Sequence, residues 1–318
     1  MKSNGLKMPL QKMINPLIVI VGPTAVGKTQ TAISLAQRLD GEIISADSRL
    51  FYRGMDIGTA KPSVEERGGI PHHLIDVAEP ADTWSLAAFQ AKAVEIIQEI
   101  QGRKKLPFLV GGTGQYIHAV VDGWVIPAQE ADLRLRSVLE LWAKEIGADG
   151  LFRKLRIIDP EAASHIEYQN IRRTVRALEV IFLTGKKFSA QRTKGGTLYN
   201  VLMVGLNRPR SELYERIDLR IDNMISSGLV EETRKLLTEG YSPNLPAMTA
   251  IGYREAVGYL QGTLTRDEAV TLMKRATRQF VRRQANWFKE TDPQINWFNM
   301  DDKVADRVEK LIREYLSS

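Results

Sequence analysis

The stretch from Pro16 to Leu39 constrains the fold most. A short β-branched apolar run, Pro16–Val21 (PLIVIV), leads directly into Gly22-Pro23-Thr24-Ala25-Val26-Gly27-Lys28-Thr29, after which apolar residues recur at Ala32, Leu35, Ala36 and Leu39. Such a run bounded by glycine reads as a strand buried on both faces, and the spacing after it reads as a helix. The octapeptide between them fits G-x-x-x-x-G-K-[ST], a P-loop, with a strand before it and a helix after it, as that loop requires. Its chemistry follows from its geometry. Glycines let successive backbone N–H groups turn onto phosphate oxygens, and the helix N-terminus adds partial positive charge. Lys28 supplies a mobile cation and the Thr29 hydroxyl a ligand for Mg²⁺. The motif specifies phosphate without specifying hydrolysis.

Further strand patterns occur at Glu42–Ala46, ending in Asp47-Ser48, at Leu106–Val110, opening into Gly111-Gly112-Thr113-Gly114, and at Tyr199–Leu206. Ala87–Ile100 between them is an amphipathic helix. Strands alternating with helices predict an α/β fold: a P-loop NTPase-like parallel sheet with flanking helices. Ligands of such sheets bind beyond the carboxyl ends of the strands, where the three polar or glycine-rich turns converge. From residue 120 to 197 the strand signal disappears. Leu133–Ile146 and Asn170–Thr184 read as helices, the second stopped by Gly185, and Asp159-Pro160 reads as an N-cap with proline in the first helical position. The expectation is an inserted all-helical domain at 120–197 within a core of 16–119 and 198–318. Beyond Leu206 the pattern is helical to the end: Ser211–Ser227, Leu229–Glu239 after Gly228, and a helix opened by a capping box at Thr265–Glu268. The first fifteen residues lack the apolar stretch of a signal peptide and read as a frayed terminus.

The strand-end turns hold the candidate chemistry. A P-loop hydrolase carries a further strand-end aspartate for Mg²⁺, but the strand at Leu106–Val110 ends in glycines. Asp47 stands at the other strand end, either helping to hold the metal, acting as a general base, or capping a turn with Ser48. Thr113 either hydrogen-bonds substrate or completes its turn. Arg216 and Arg220, four apart and sharing a helix face with Asn223, suit a pyrophosphate leaving group or a solvated salt bridge. Arg172, Arg173 and Arg176 form one basic cluster; Lys274, Arg275, Arg278, Arg282 and Arg283 form another, with Phe280, Trp287 and Phe288 nearby. Each is either an RNA-backbone footprint or a solvated face. The net charge of +6 permits a polyanionic partner. His72-His73 follows Pro71 in a stretch read as a loop, with hydrogen bonding rather than metal binding as its role. Without cysteine there is no disulfide, thiolate zinc site or cysteine nucleophile, and no apolar run reaches the roughly 18 residues of a membrane span. A kinase, a prenyltransferase of free nucleotides and a nucleotide-switched RNA-binding protein all remain compatible with these residues.

Several segments together resemble the tRNA dimethylallyltransferases, bacterial type: GPTAVGKT (22–29), DSRLFYRGMDIGTAKP (47–62), HHLID (72–76), GGTGQYI (111–117), RRTVRALEV (172–180), RIDLRIDNMISSGLVEE (216–232), IGYREAVGYL (251–260) and RQFVRRQANWF (278–288). The resemblance implies transfer of a dimethylallyl group from dimethylallyl diphosphate to N6 of adenosine 37 in tRNAs reading codons that start with U. It also implies Mg²⁺ and a helical domain gripping the tRNA anticodon stem-loop, in a cytoplasmic monomer. By the match, Asp47 is the base, and Gly22–Thr29 with Arg220 seat the diphosphate. Thr113 touches the tRNA near the reacting base. Asp47, Ser48, Arg49, Leu50, Arg136, Arg172, Arg173, Thr174, Val175, Arg176, Arg278 and Arg282 are further tRNA contacts. The family commonly has glutamine where Leu50 stands and leucine where Gln115 stands.

Overall fold

A computed structural model describes residues 15–126, 132–191, 196 and 198–318. The N-terminal residues read above as frayed lie outside the described ones. The sheet has six strands: β1 (Pro16–Val21), β2 (Gly41–Ser45), β3 (His72–His73), β4 (Leu106–Val110), β5 (Asn200–Asn207) and β6 (Ile295–Asn299). They lie in the order β3-β2-β4-β1-β5-β6. All five pairings are parallel. The four central strands are the apolar runs of the sequence, and β1, β2 and β4 are buried along nearly their whole length. Because every strand runs the same way, all carboxyl ends open on one edge.

Two strands depart from the expectations. His72-His73 is a two-residue edge strand paired with Ile43 and Ile44 rather than a loop. The chain after Leu206 is not wholly helical, since Ile295–Asn299 returns to the opposite edge beside β5. An edge strand needs only one buried face, and β6 buries Ile295 while exposing Asn296 and Asn299.

The helices are α1 (Lys28–Arg38), α2 (Leu86–Gly102), α3 (Gly114–Val121), α4 (Leu133–Ile158), α5 (Pro160–Ser164), α6 (Ile171–Thr184), α7 (Phe188–Gln191), α8 (Arg210–Ser226), α9 (Leu229–Thr238), α10 (Tyr253–Leu260), α11 (Arg266–Gln284) and α12 (Val304–Ser317). Their ends follow the capping signals. The Asn170 side chain accepts from the Arg173 amide at the start of α6, and Gly185 closes that helix in the left-handed region at φ 67°. Asp159 accepts from the Ala162 amide with proline next to it, and Thr265 and Glu268 form the capping box of α11. Helix α4 is interrupted at Gly147, where φ 77° and ψ 164° are non-helical.

The described residues form two compact units. One comprises those up to Trp84 with Ala91–Ile117 and Leu198–Ser318 and contains the sheet; the other comprises Ser85–Gln90 and the described residues from His118 onward to Gly196. The first is built on a core in which Ile18, Ile20, Phe108, Val204 and Leu206 from the sheet meet Leu213, Ile217 and Ile221 of α8 and Val308 and Ile312 of α12. The second has its own core of Leu139, Leu151, Leu155, Val175, Leu178 and Ile181. Among the described residues, no helix is long and apolar enough to cross a membrane.

Candidate active site

The carboxyl edge of the sheet opens into a cavity of about 390 Å³. Its polar wall comes from four places distant in sequence: the P-loop (Thr24, Ala25, Gly27, Lys28, Thr29), the end of β2 (Ser45, Asp47), the stretch leading into β3 (Thr59, Glu66, His72) and helix α8 (Arg216, Arg220). Gly111 at the end of β4 adds a further wall, and Ile33, Ile43, Ile75, Pro62 and Leu50 give the rest an apolar lining.

The P-loop shape is enforced by its glycines and by two arginines. Gly22 has φ +148°, and a Cβ there would sit 2.5 Å from the Leu206 carbonyl oxygen, so only glycine fits between the loop and β5. Gly27, at φ 118°, stands before α1 without a side-chain cap, leaving the first amides of the helix available. Arg216 Nε donates to the Ala25 carbonyl at 2.8 Å and Arg208 Nε to the Val26 carbonyl at 3.0 Å. These bonds hold two loop carbonyls on α8 and at its approach, and Ala25 itself adopts φ 66°.

Lys28 folds back over its own loop, donating to the carbonyls of Gly22 (2.9 Å) and Pro23 (2.8 Å). Burial lowers its pKa to about 8; the Asp47 carboxylate works against that shift and the Arg220 guanidinium with it. Arg220 donates to the Thr59 carbonyl at 3.2 Å. Burial draws its pKa below the ordinary arginine value, again opposed by Asp47. The Asp47 carboxylate and the Lys28 and Arg220 cations are therefore coupled across a desolvated part of the wall. Asp47 Oδ1 accepts from the Arg49 amide at 3.0 Å, so the residue both caps its turn and lines the cavity.

Other expected residues are distributed less simply. Thr113 opens α3, its carbonyl accepting from the amides of Tyr116 (3.0 Å) and Ile117 (3.2 Å), and it lies outside the cavity lining, two residues beyond Gly111. Ser48 also lies outside the lining, Arg49 reaches the Pro246 carbonyl at 3.1 Å, and Leu50 faces the cavity. Asn223 is exposed and does not join Arg216 and Arg220 there. On α11, Arg278 is paired with Asp218 at 2.5 Å and lies over the Tyr214 ring, while Arg282 donates to the Tyr214 hydroxyl at 3.4 Å. Both are at least partly engaged in packing α11 on α8.

In the helical unit, Arg172 and Arg173 are exposed. Arg136 and Arg176 each donate to the buried carboxylate of Glu179 at 2.8 Å. Burial alone raises the Glu179 pKa, but these two bonds outweigh it and the net shift is downward. Thr174 and Val175 differ from the arginines around them. They are 0% and 2% exposed, with the Thr174 hydroxyl bonded to the Asn170 carbonyl, so their side chains face the unit's core and only their backbone is left to meet a partner.

Two residues, Arg208 and Gln284, have no role in the sequence reading, and a third, His72, is expected there only to hydrogen-bond. Arg208 is a P-loop tether. His72 lines the cavity, its Nδ1 donating to the Ile70 carbonyl at 2.8 Å and its buried Nε2 having no hydrogen-bond partner, while His73 turns the other way to Glu42. Gln284 closes two loops: its Oε1 accepts from the Thr24 amide at 2.9 Å and its Nε2 donates to the Gly112 carbonyl at 3.0 Å. Only the alternation of side chains along a strand could have separated the two histidines in advance.

Residues 50–291 match the family described as IPP transferase. A tRNA dimethylallyltransferase from Roseiflexus sp. is 50% identical over 274 residues, covering 86% of this chain and 90% of the relative. The crystal structure of a full-length tRNA isopentenylpyrophosphate transferase from Bacillus halodurans is 43% identical with a TM-score of 0.72, covering 95% and 97% of the two chains. A eukaryotic dimethylallyltransferase acting on tRNA is 27% identical with a TM-score of 0.81, over 95% of this chain and 79% of that one. With its P-loop, its parallel sheet and nearly its whole length accounted for by these relatives, the chain belongs to the IPP transferase family, the tRNA dimethylallyltransferases.

Proposed function

We propose that this enzyme transfers a dimethylallyl group from dimethylallyl diphosphate to N6 of adenosine 37 in the anticodon loop of tRNAs reading codons that start with U. The observation that carries the proposal is the shared wall of Lys28, Arg216, Arg220 and Asp47 in one cavity. A departing diphosphate needs cations and amides, and an attacking amine needs a base beside them.

In this reading the diphosphate lies in the Gly22–Thr29 loop, with Lys28 leaving its carbonyl bonds to meet it and Arg220 across from it. N6 attacks the allylic C1 as the C1–O bond breaks, the diphosphate leaves with the bonding electrons, and Asp47 takes the N6 proton. The apolar lining at Ile33, Ile43 and Ile75 suits a five-carbon tail. Flipping adenosine out of the loop brings N6 to the cavity, with Leu50 and the Thr113 turn as its surroundings. The exposed Arg172 and Arg173, with Arg136, Arg176, Arg278 and Arg282, supply cations for the stem-loop phosphates.

The donor set fits Mg²⁺ arriving with the diphosphate. Thr29 is exposed at the first turn of α1 and lines the cavity, and the described residues hold no cluster of three His, Cys, Asp or Glu that would retain a metal alone. Thr29 Oγ1 would be the protein group holding such an ion, which would supply charge neutralisation for the leaving diphosphate.

The test is nucleoside mass spectrometry of unmodified tRNA carrying A36-A37-A38, incubated with pure protein and dimethylallyl diphosphate. Isopentenyladenosine at position 37 is expected. Prenylation of free adenine nucleotides with none in tRNA would overturn the proposal, as would phosphoryl transfer from ATP without prenyl transfer.

A further inference from the structure

We propose that Gln284 is a positioning residue, whose side-chain amide clamps the P-loop to the Gly111–Gly114 loop and so fixes the spacing between the departing diphosphate and the acceptor base. The inference rests on the reading of the cavity as a diphosphate seat given above.

Gln284 is the last residue of α11 and is 5% exposed. Its acceptor takes the Thr24 amide, 260 positions away, and its donor meets the Gly112 carbonyl, 172 positions away. Glutamine suits the place because one planar group offers an acceptor and a donor pointing apart. A Cβ on Gly112 would lie 2.1 Å from Gln284 Nε2, so the glycine is required for the clamp to reach. One turn on, Trp287 packs beneath Gly114, where an added Cβ would come within 2.2 Å of the ring. The helix carrying the clamp is itself fixed to α8 through Lys274–Asp222 at 2.8 Å and Arg278–Asp218 at 2.5 Å. Helix α8 carries Arg216 and Arg220. The cationic wall, the phosphate loop and the Thr113 turn are thereby held on one helix pair, with Gln284 hydrogen-bonding both loops.

The two halves of the clamp separate by substitution. Gln284→Glu retains an oxygen for the Thr24 amide but sets a carboxylate against the Gly112 carbonyl, while Gln284→Ala removes both bonds. The measurements are the affinity for inorganic diphosphate by calorimetry, kcat, the KM for tRNA, and amide hydrogen exchange of the ligand-free protein. Gln284→Ala is expected to weaken diphosphate about tenfold, lower kcat by about 10²-fold and speed exchange at Thr24, with the tRNA KM unchanged. Gln284→Glu is expected to hold the diphosphate affinity within about twofold and still lower kcat. Because exchange is read on the folded protein, a loss of activity with unchanged exchange at Thr24 overturns the clamp, as do diphosphate affinity and kcat unaltered in Gln284→Ala. Wild-type protein that binds no diphosphate overturns the seat and the clamp together.

Discussion

With diphosphate seated at Lys28 as proposed, the depressed pKa of that lysine predicts an affinity that depends on pH in a direction fixed by its surroundings. In the ligand-free cavity, burial brings the ammonium to about 8, with Asp47 holding it up and Arg220 pushing it down. A bound diphosphate stabilises the charged form, so binding draws a proton from solution whenever Lys28 is neutral beforehand. Below pH 8 the lysine is mostly charged and affinity is level; above pH 8 each unit costs about a factor of ten. Between pH 7 and pH 9 the charged fraction falls from about nine-tenths to about one-tenth, so the dissociation constant rises about tenfold. The ligand's own last ionisation, near about pH 6, is complete over this range. The assay is calorimetry with a non-transferable allylic diphosphate analogue in buffers of different ionisation enthalpy, which also counts the protons taken up. Lys28→Arg is the control, because a guanidinium stays charged and removes the slope while binding less well. Level affinity from pH 7 to pH 9, or the same slope in Lys28→Arg, would refute the assignment.

Asp47→Asn is expected to lower kcat by about 10²–10⁴-fold while the tRNA dissociation constant stays within about twofold, measured by single-turnover prenylation and filter binding. Arg220→Ala is expected to reduce kcat by about 10²–10³-fold, and Arg220→Lys to recover part of it, because charge matters there as well as the fork. Glu179→Ala leaves Arg136 and Arg176 without their shared carboxylate. Both arginines are about a third exposed (34% and 32%), so water takes up part of the loss. The expected destabilisation is about 1–3 kcal/mol in urea titration, together with weaker tRNA binding. Leu50→Gln, which adds an amide to the cavity wall, is expected to lower the KM for tRNA without altering that for the prenyl donor; equal changes in both would show that position 50 does not face the nucleotide.

How much could be read in advance follows from how local each feature is. Strands β1, β2, β4 and β5 are legible because burial forces short apolar runs there, and Asp47 because it ends such a run. β6 was hidden because an edge strand with one buried face tolerates Asn-Trp-Phe-Asn, and β3 because two residues carry no period. Arg216 and Arg220 are paired by the helical repeat itself. Gln284 is silent in sequence, since its partners become neighbours only when the sheet and α11 are assembled. Thr174 and Val175 show the limit of a contiguous motif: a helix turns consecutive residues to different faces, so within 172–176 these two side chains are buried with Leu178 and Ile181 while Arg172 and Arg173 are exposed.

The resting position of Lys28 has a consequence for its charge. Two loop carbonyls, at 2.9 Å and 2.8 Å, already accept from its ammonium before any ligand arrives. The loop thus contains an internal rival for its own cation. In the proposed seat, a diphosphate would exchange places with these carbonyls on arrival and departure, so the ligand-free cavity never holds a bare ammonium.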